Sequence, residues 1–133
     1  MLPKEFYIVP EDIFRLGNAT GSRLSNVRLR DIKITKINGI NVVIANGKGV
    51  CVFDKEGINL SPMSEWVWYI SKNIPLPKGL KLVKDKKHHY CVAPTKNMPV
   101  DKYKGLLVEM ALRAKKFIKK KVKRYGHFNI KFS

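Results

Sequence analysis

The chain has 133 residues, 44% of them hydrophobic, which is enough for one compact domain over 1–133 but too little for two independent cores. Its 27 Lys and Arg side chains outnumber 10 Asp and Glu, and the formal net charge of +17 predicts an anionic partner, because a compact chain with this charge repels itself. Residues 1–14 contain prolines and acidic side chains, and no apolar run approaches about 18 residues, so we expect no secretion signal, no membrane insertion and a location in the cytoplasm.

The positive charge is concentrated toward the C-terminus. Residues 1–83 carry 12 basic and 7 acidic side chains, whereas residues 84–133 carry 15 basic and 3 acidic side chains. Nucleic acid, an anionic membrane surface, an acidic inhibitor protein and a phosphate-bearing cofactor all fit this charge. The charge by itself therefore leaves the class of partner open.

The two cysteines, Cys51 and Cys91, indicate a reduced protein without a structural metal. Common zinc motifs place two pairs of Cys or His ligands at short spacings along the chain. Cys91 adjoins His88 and His89, but no second pair lies near it in the sequence. We therefore expect no metal cofactor.

Short strand patterns dominate the first half of the chain. Residues 12–16 predict a strand, and the polar, glycine-rich run that follows predicts a loop. Asn38-Gly39 separates two β-branched runs, which is a strong hairpin signal. Residues 50–53 are almost entirely apolar and predict a strand buried on both faces.

The middle of the chain is less uniform. Residues 64–71 are aromatic and fit either a strand or a helix. Two prolines in 74–79 predict a connector, since proline lacks an amide donor and has a fixed φ. Residues 80–83 and 89–92 predict an antiparallel pair of strands joined by a basic turn at 84–87.

The C-terminal part has the clearest periodicity. Apolar residues recur at steps of three and four from Tyr103 to Ile118, which predicts an amphipathic helix of about six turns that ends at Gly126. Residues 128–132 alternate between apolar and polar and predict a final short strand. Basic residues crowd the end of the predicted helix and form a candidate nucleic-acid or anion surface. They are Lys115, Lys116, Lys119, Lys120, Lys123 and Arg124.

Three sequence blocks carry a family resemblance. They are residues 47–54 (GKGVCVFD), 77–84 (PKGLKLVK) and 89–94 (HYCVAP). These blocks resemble those of the Tse toxins of type VI secretion, which are NAD-dependent ADP-ribosyltransferase-like effectors with fungal relatives. The resemblance covers roughly residues 12–112. It implies an α+β fold with a split antiparallel β-sheet core and a nicotinamide cleft, to which the periodicity adds the long basic helix and the final strand.

The resemblance also implies a function and a site. The function is transfer of ADP-ribose from NAD to a cytoplasmic target, or hydrolysis of NAD, in an intoxicated cell. Arg15 matches the family's first-strand arginine, and His89 matches its functional histidine. Val50 and Cys51 stand where the family has a Thr-Ser pair. The candidate NAD-binding residues are Arg15, Val50, Cys51, Phe53, His89 and Tyr90.

Each of the three candidate catalytic residues suits its implied role. The Arg15 guanidinium presents a planar fork of donors to the pyrophosphate. The His89 imidazole donates to the ribose hydroxyls while positive charge builds on the sugar. The Cys51 thiol contacts the nicotinamide ribose or carboxamide, although a thiol is a weaker hydrogen-bonding group than a serine hydroxyl. The hypothesis requires all three to converge on one crevice.

A late glutamate that anchors the nicotinamide ribose in many such transferases is not evident. Glu109 precedes Arg113 by four residues in the predicted helix, a spacing typical of an intrahelical ion pair. Without such a glutamate, we expect poor transfer or hydrolysis of NAD.

Other interpretations remain open. A surface charge, an inert core thiol and a solvated turn are ordinary structural roles for Arg15, Cys51 and His89. The basic helix and the adjacent histidines also fit a nucleic-acid-binding module or a metal-free ribonuclease toxin, and an NAD-consuming toxin with this charge can modify RNA as well as protein. The charge further fits capture by an acidic immunity protein.

Overall fold

The computed structural model describes residues 4–17, 22, 24, 27, 28, 30–60, 66–122 and 127–130, and it describes side chains in these ranges up to Lys115. Eleven strands and two helices form within these residues. The strands are β1 (Lys4–Phe6), β2 (Ile13–Leu16), β3 (Ile34–Ile37), β4 (Ile40–Val43), β5 (Val50–Phe53), β6 (Trp66–Ile70), β7 (Leu80–Lys86), β8 (His89–Pro94), β9 (Met98–Pro99), β10 (Lys115–Val122) and β11 (His127–Ile130), and the helices are α1 (Lys55–Leu60) and α2 (Val100–Ala111).

The described strands form two sheets. The larger sheet has the order β1-β7-β8-β5-β2-β6-β10-β11, and the smaller sheet has the order β3-β4-β9. Neighbouring strands pair antiparallel in both sheets. The prediction of an α+β protein built on antiparallel strands is confirmed.

Local sequence signals explain several of these elements. Asn38 and Gly39 have φ angles of 52° and 78°, in the left-handed region that a two-residue turn between β3 and β4 requires. The aromatic run that fitted either a strand or a helix forms β6, which pairs with β2 along the whole of β2. The predicted strand pair is β7 and β8, although β7 continues to Lys86 and leaves a shorter turn.

The prediction of a long basic C-terminal helix is wrong beyond Ala111. Helix α2 ends there, and after a short turn the chain continues as β10. β10 lies between β6 and β11, with Lys115 opposite Tyr69. The apolar residues of β10 are aromatic or β-branched, and pairing along β6 satisfies their backbone groups. Their helical spacing is therefore overridden by a long-range pairing that no local pattern shows. Gly126, the predicted helix end, lies outside the described residues.

The two faces of the larger sheet have separate hydrophobic clusters. On one face, α2 buries an apolar stripe against side chains of β5, β7 and β8. The stripe consists of Tyr103, Leu107 and Met110. On the opposite face, Ile58 of α1 packs in a smaller cluster with Phe14. Ile13 belongs to the first cluster and Phe14 to the second, so β2 is covered on both sides.

Three short elements have no counterpart in the sequence predictions. They are β1, α1 and β9, which contain 3, 6 and 2 residues, lengths at which periodicity carries no information. Asp54 explains where α1 begins, because its Oδ1 accepts a hydrogen bond of 2.7 Å from the N–H of Gly57. Neither of the two described helices is long and apolar enough to cross a membrane.

Candidate functional site

Three neighbouring strands of the larger sheet carry the predicted catalytic residues. β5 lies between β8 and β2, so Cys51 is one strand away from His89 on one side and from Arg15 on the other. β5 and β8 are paired along four residues, with Cys51 opposite Cys91. β5 and β2, by contrast, share a single register pair within the described residues.

The two cysteine side chains face each other at close range. Both are free thiols. The carbonyl of Cys51 points toward β2, where it accepts a hydrogen bond of 2.6 Å from Nη1 of Arg15. In an antiparallel pair, a residue whose carbonyl points away from the partner strand belongs to a non-hydrogen-bonded pair, in which the Cα atoms are about 4.5 Å apart. The Cys51 and Cys91 side chains are therefore direct neighbours on one face of the sheet.

His89 extends this pair through its imidazole. The ring lies on the same face as Cys51, diagonally across the β5–β8 pair, and its Nδ1 lies 2.6 Å from Oδ1 of Asp85, near the end of β7. Sγ of Cys91 lies 3.8 Å from the other carboxylate oxygen of Asp85. Phe53 packs edge-on against the imidazole, with the ring centroids 5.4 Å apart. Two thiols, an imidazole and a carboxylate therefore form one connected group.

This environment stabilises the thiolate form of Cys51. Hydrogen bonds from the Cys91 thiol and the His89 imidazole lower the pKa of Cys51 to about 5, although burial acts in the opposite direction. The hydrogen bond to Cys51 raises the pKa of His89, and the bond to Asp85 adds to this effect. Its hydrogen bond to Cys51, together with burial, raises the pKa of Cys91. These shifts favour a thiolate at Cys51, an anion that can attack an electrophile or stabilise a developing positive charge.

Arg15 approaches this group from the other face of the sheet. Phe14 and its partner Phe53 share one face, and successive strand residues alternate, so Arg15 leaves β2 on the face opposite to Phe53 and Cys51. Its guanidinium donates to the Cys51 carbonyl, and burial lowers its pKa. The structure thus places Cys51 and His89 on one face of the sheet and Arg15 on the other, joined to them through the Cys51 carbonyl, so the three residues do not share one crevice in this conformation.

The space beside Arg15 is nearly filled. Among the described residues, the cavity whose wall includes Arg15, Val52 and Trp68 has a volume of about 10 Å³. Ligand pockets typically have volumes of about 300–1,000 Å³. A nicotinamide therefore does not fit in this cavity in the present conformation.

Val50 and Tyr90, two of the candidate NAD-binding residues, have buried side chains in the larger cluster. The N–H of Val50 donates to the hydroxyl of Tyr103 at 3.1 Å, and that hydroxyl donates to the carbonyl of Val92 at 2.6 Å. The Tyr90 hydroxyl donates to Glu11, and burial raises the pKa of Tyr90. In this conformation both side chains support the sheet from the α2 side.

The neighbouring histidine, His88, belongs to a different group of residues. Its Nδ1 lies 2.8 Å from Oδ2 of Asp54, and its Nε2 lies 3.6 Å from Oε2 of Glu56. It has a φ angle of 64° in the turn between β7 and β8. His88 therefore connects this turn to the start of α1, and the two adjacent histidines take part in separate sites.

The candidate basic surface is described only in part. Lys115 is exposed on β10 rather than on a helix. The side chains of Lys116, Lys119 and Lys120, and the whole of Lys123 and Arg124, lie outside the described residues. A basic site that the sequence did not indicate lies elsewhere, where three lysines line a cavity of about 430 Å³. These lysines are Lys78, Lys96 and Lys102.

Glu109 is exposed on α2, and Arg113 lies beyond the end of this helix. Both line a cavity of about 250 Å³ between α2 and the proline-rich connector. The predicted ion pair within one helix therefore does not apply to Glu109 and Arg113, because α2 ends between them.

Sequence patterns missed Asp85 and Cys91 as partners of the candidate site. The sequence pattern places Asp85 in a turn, and spacing along the chain excludes Cys91 from the common zinc motifs. The ligand atoms of Asp85, His89 and Cys91 lie within 4.8 Å of one another, an arrangement that can hold a metal ion. The register of the strands would have identified them, because antiparallel pairing of 50–53 with 89–92 places Cys51 opposite Cys91.

Comparison with known proteins supports the family resemblance. The model of a family described as Tse2 ADP-ribosyltransferase toxin matches residues 11–118, which are most of the chain. The match spans all three sequence blocks and the positions of Arg15, Cys51 and His89. No curated protein and no solved structure matches the chain.

Proposed function

Since the chain belongs to the Tse2 ADP-ribosyltransferase toxin family, we propose that it uses NAD as its substrate and transfers ADP-ribose to a macromolecule in the cytoplasm of an intoxicated cell. Family membership makes the chain a toxin with transferase activity. The residues that bind NAD, the acceptor and the place of action are part of our proposal. We also propose that 1–133 form a single functional domain and that the protein is exported toward a target cell by type VI secretion. An acidic immunity protein would neutralise it, and opposite charge would speed their encounter.

The placement of Cys51 beside His89, on one face of two paired strands, carries the proposal. In the transfer, the bond between nicotinamide and ribose breaks, nicotinamide leaves with the bonding electrons, and a nucleophile of the acceptor bonds to the same ribose carbon. Positive charge builds on the sugar as the bond loosens, and a thiolate at Cys51 stabilises that charge. The His89 imidazole, held by Asp85, donates to a ribose hydroxyl.

Arg15 and Phe53 complete the proposed site. Phe53 offers apolar surface for the nicotinamide ring beside His89. Arg15 takes the pyrophosphate, for which its guanidinium exchanges the Cys51 carbonyl for phosphate oxygens. This exchange requires β2 and β5 to separate, because the cavity beside Arg15 is too small as it stands. These strands share a single register pair within the described residues.

The proposal is tested with purified protein and NAD labelled in its adenylate part, alongside expression in a bacterial cytoplasm. We expect arrested growth, falling cellular NAD and a labelled macromolecule. His89→Ala and Arg15→Ala should each lower labelling by at least about 100-fold, since removing one donor that acts in the transition state typically costs this much.

Arg113→Ala is the matched control, because it makes the same change at an exposed arginine. Circular dichroism and thermal unfolding establish that each variant is folded. Full toxicity of both folded site variants would contradict the assignment. If the label is recovered only as free ADP-ribose, the activity is hydrolysis of NAD and not transfer. Cleavage of nucleic acid without any NAD-derived product would favour the ribonuclease alternative.

A further inference from the structure

Four side chains with metal-binding atoms meet on three adjacent strands of the larger sheet. Cys51 comes from β5, His89 and Cys91 come from β8, and Asp85 comes from β7. We call these four residues the dithiol cluster. His89 and Cys91 are two residues apart on one strand and therefore share a face, and Cys51 lies opposite Cys91 on the same face.

The spacing of three members is close to that of ligands around one ion. The ligand atoms of Asp85, His89 and Cys91 lie within 4.8 Å of one another. Tetrahedral zinc, with bonds of about 2.0–2.3 Å, separates its ligand atoms by about 3.3–3.8 Å. The Sγ of Cys91 is already 3.8 Å from Oδ2 of Asp85. The 2.6 Å between Nδ1 of His89 and Oδ1 of Asp85 has to widen by about 1 Å, which side-chain rotation of Asp85 can supply.

Cys51 is placed to complete the coordination. It lies opposite Cys91 in the closer kind of antiparallel pair, with Cα atoms about 4.5 Å apart, so a change of its side-chain rotamer can bring the thiol to an ion held by the other three. With Cys51 as the fourth ligand, an ion would be held by two sulfurs, one nitrogen and one oxygen. This donor set suits zinc and other thiophilic divalent ions, whereas magnesium and calcium prefer oxygen ligands.

Access and charge also favour a cation here. The side chains of His89 and Asp85 are 12% and 40% exposed, so an ion can enter past the carboxylate. Two thiolates and one carboxylate concentrate three negative charges at this point of the sheet, and a divalent cation neutralises two of them.

We propose that Cys51, Asp85, His89 and Cys91 form a binding site for a thiophilic divalent cation, with Zn²⁺ as the physiological candidate. The expectation of no metal rests on the spacing of ligands along the chain, whereas these four residues come together from different strands. Because Cys51 and His89 are also the proposed catalytic pair, a bound ion occupies the active site and inhibits transfer. The binding test needs no NAD, so its outcome and that of the proposed function are independent.

The test uses the full chain, reduced and stripped with a chelator. Titration with Co²⁺ should give the intense thiolate-to-metal absorption of a tetrahedral site, saturating at one equivalent, and Zn²⁺ should displace the Co²⁺. Cys91→Ser and Asp85→Asn should each weaken Zn²⁺ binding by at least about tenfold. Asp85→Asn changes a partly exposed side chain and keeps its size, so it reports on binding even where Cys91→Ser impairs folding.

His88→Gln provides the matched control, because His88 has its own carboxylate neighbours, Asp54 and Glu56, and takes no part in the dithiol cluster. Zn²⁺ affinity should be unchanged in this variant. Absence of tight binding by the wild-type chain would overturn the proposal. So would binding that Asp85→Asn and Cys91→Ser leave unchanged, or that His88→Gln abolishes.

Discussion

Cys51 owes its chemistry to side chains that other strands supply. Its own neighbours in the sequence, Val50 and Val52, are buried and apolar, and they give no hint of an ionised thiol. The donors are Cys91 and His89, which β8 places across the pair, and Asp85 holds His89 from β7. The family resemblance identified Cys51 and His89 as candidate site residues, but the acidity of the thiol follows only from the register of three strands.

At the residue scale, we expect Cys51 to react as a thiolate well below neutral pH. With a chelator present, its alkylation by iodoacetamide should change little between about pH 8 and pH 6 and should fall as the pH approaches the pKa of about 5. An ordinary cysteine, with a pKa of about 8.5, loses reactivity about tenfold per pH unit over this range. Peptide mapping by mass spectrometry assigns the label, and Cys91, which is 7% exposed, should react more slowly.

The variant Cys91→Ala supplies the internal comparison for this experiment. It removes the largest contribution to the lowered pKa of Cys51, so the alkylation profile should move to higher pH. A wild-type profile that already resembles that of a free cysteine would rule out the thiolate assignment.

At the element scale, Tyr103 connects helix α2 to the two central strands. Its hydroxyl stands between the N–H of Val50 and the carbonyl of Val92, which face each other across β5 and β8. Gly49 makes this approach possible, because a Cβ at this position would lie 1.9 Å from the Val92 carbonyl oxygen. One side chain thus replaces a direct backbone hydrogen bond and fixes the position of the helix.

Tyr103→Phe should lower the free energy of unfolding by about 1–3 kcal/mol, because it leaves two buried backbone groups without this hydroxyl. Urea unfolding followed by circular dichroism measures the change. Tyr7→Phe removes a hydroxyl from a side chain that is 56% exposed and should have almost no effect. Equal stability of both variants would show that the Tyr103 bridge contributes nothing.

Elements with local signals could be predicted from the sequence, and those that depend on distant partners could not. The β3–β4 turn follows from Asn38-Gly39, and β5 and β8 follow from their apolar runs. β10 shows the limit of this approach, since its apolar residues fit a helical period and only the adjacent edge of β6 makes them a strand. For the same reason, the sequence does not predict that Arg15 and Cys51 lie on opposite faces of the sheet. Side chains alternate between faces along β2 and along β5, but the two patterns can be related only once the register of the strands is known.

At the scale of the whole molecule, the charge of +17 should produce salt-sensitive binding to polyanions. We expect a labelled single-stranded RNA to bind without sequence preference and to dissociate steeply as salt rises, as measured by fluorescence anisotropy. Replacing the three lysines of the 430 Å³ cavity with Gln should reduce the slope of log affinity against log salt by about 2, since each phosphate contact on a single strand contributes about 0.7.

A triple Gln variant at three exposed lysines outside this cavity gives the control for the charge change. Its lysines are Lys33, Lys36 and Lys55. Equal loss of binding in both triple variants would mean that the RNA responds to net charge alone and that the cavity is no preferred contact.

The order of strands in the larger sheet also has a consequence for biosynthesis. β5 is made early, but its partner β8 and the aspartate near the end of β7 follow more than thirty residues later in the chain. A ribosome-bound chain that has not yet reached Asp85 therefore carries Cys51 without the second thiol, the imidazole and the carboxylate that make it acidic.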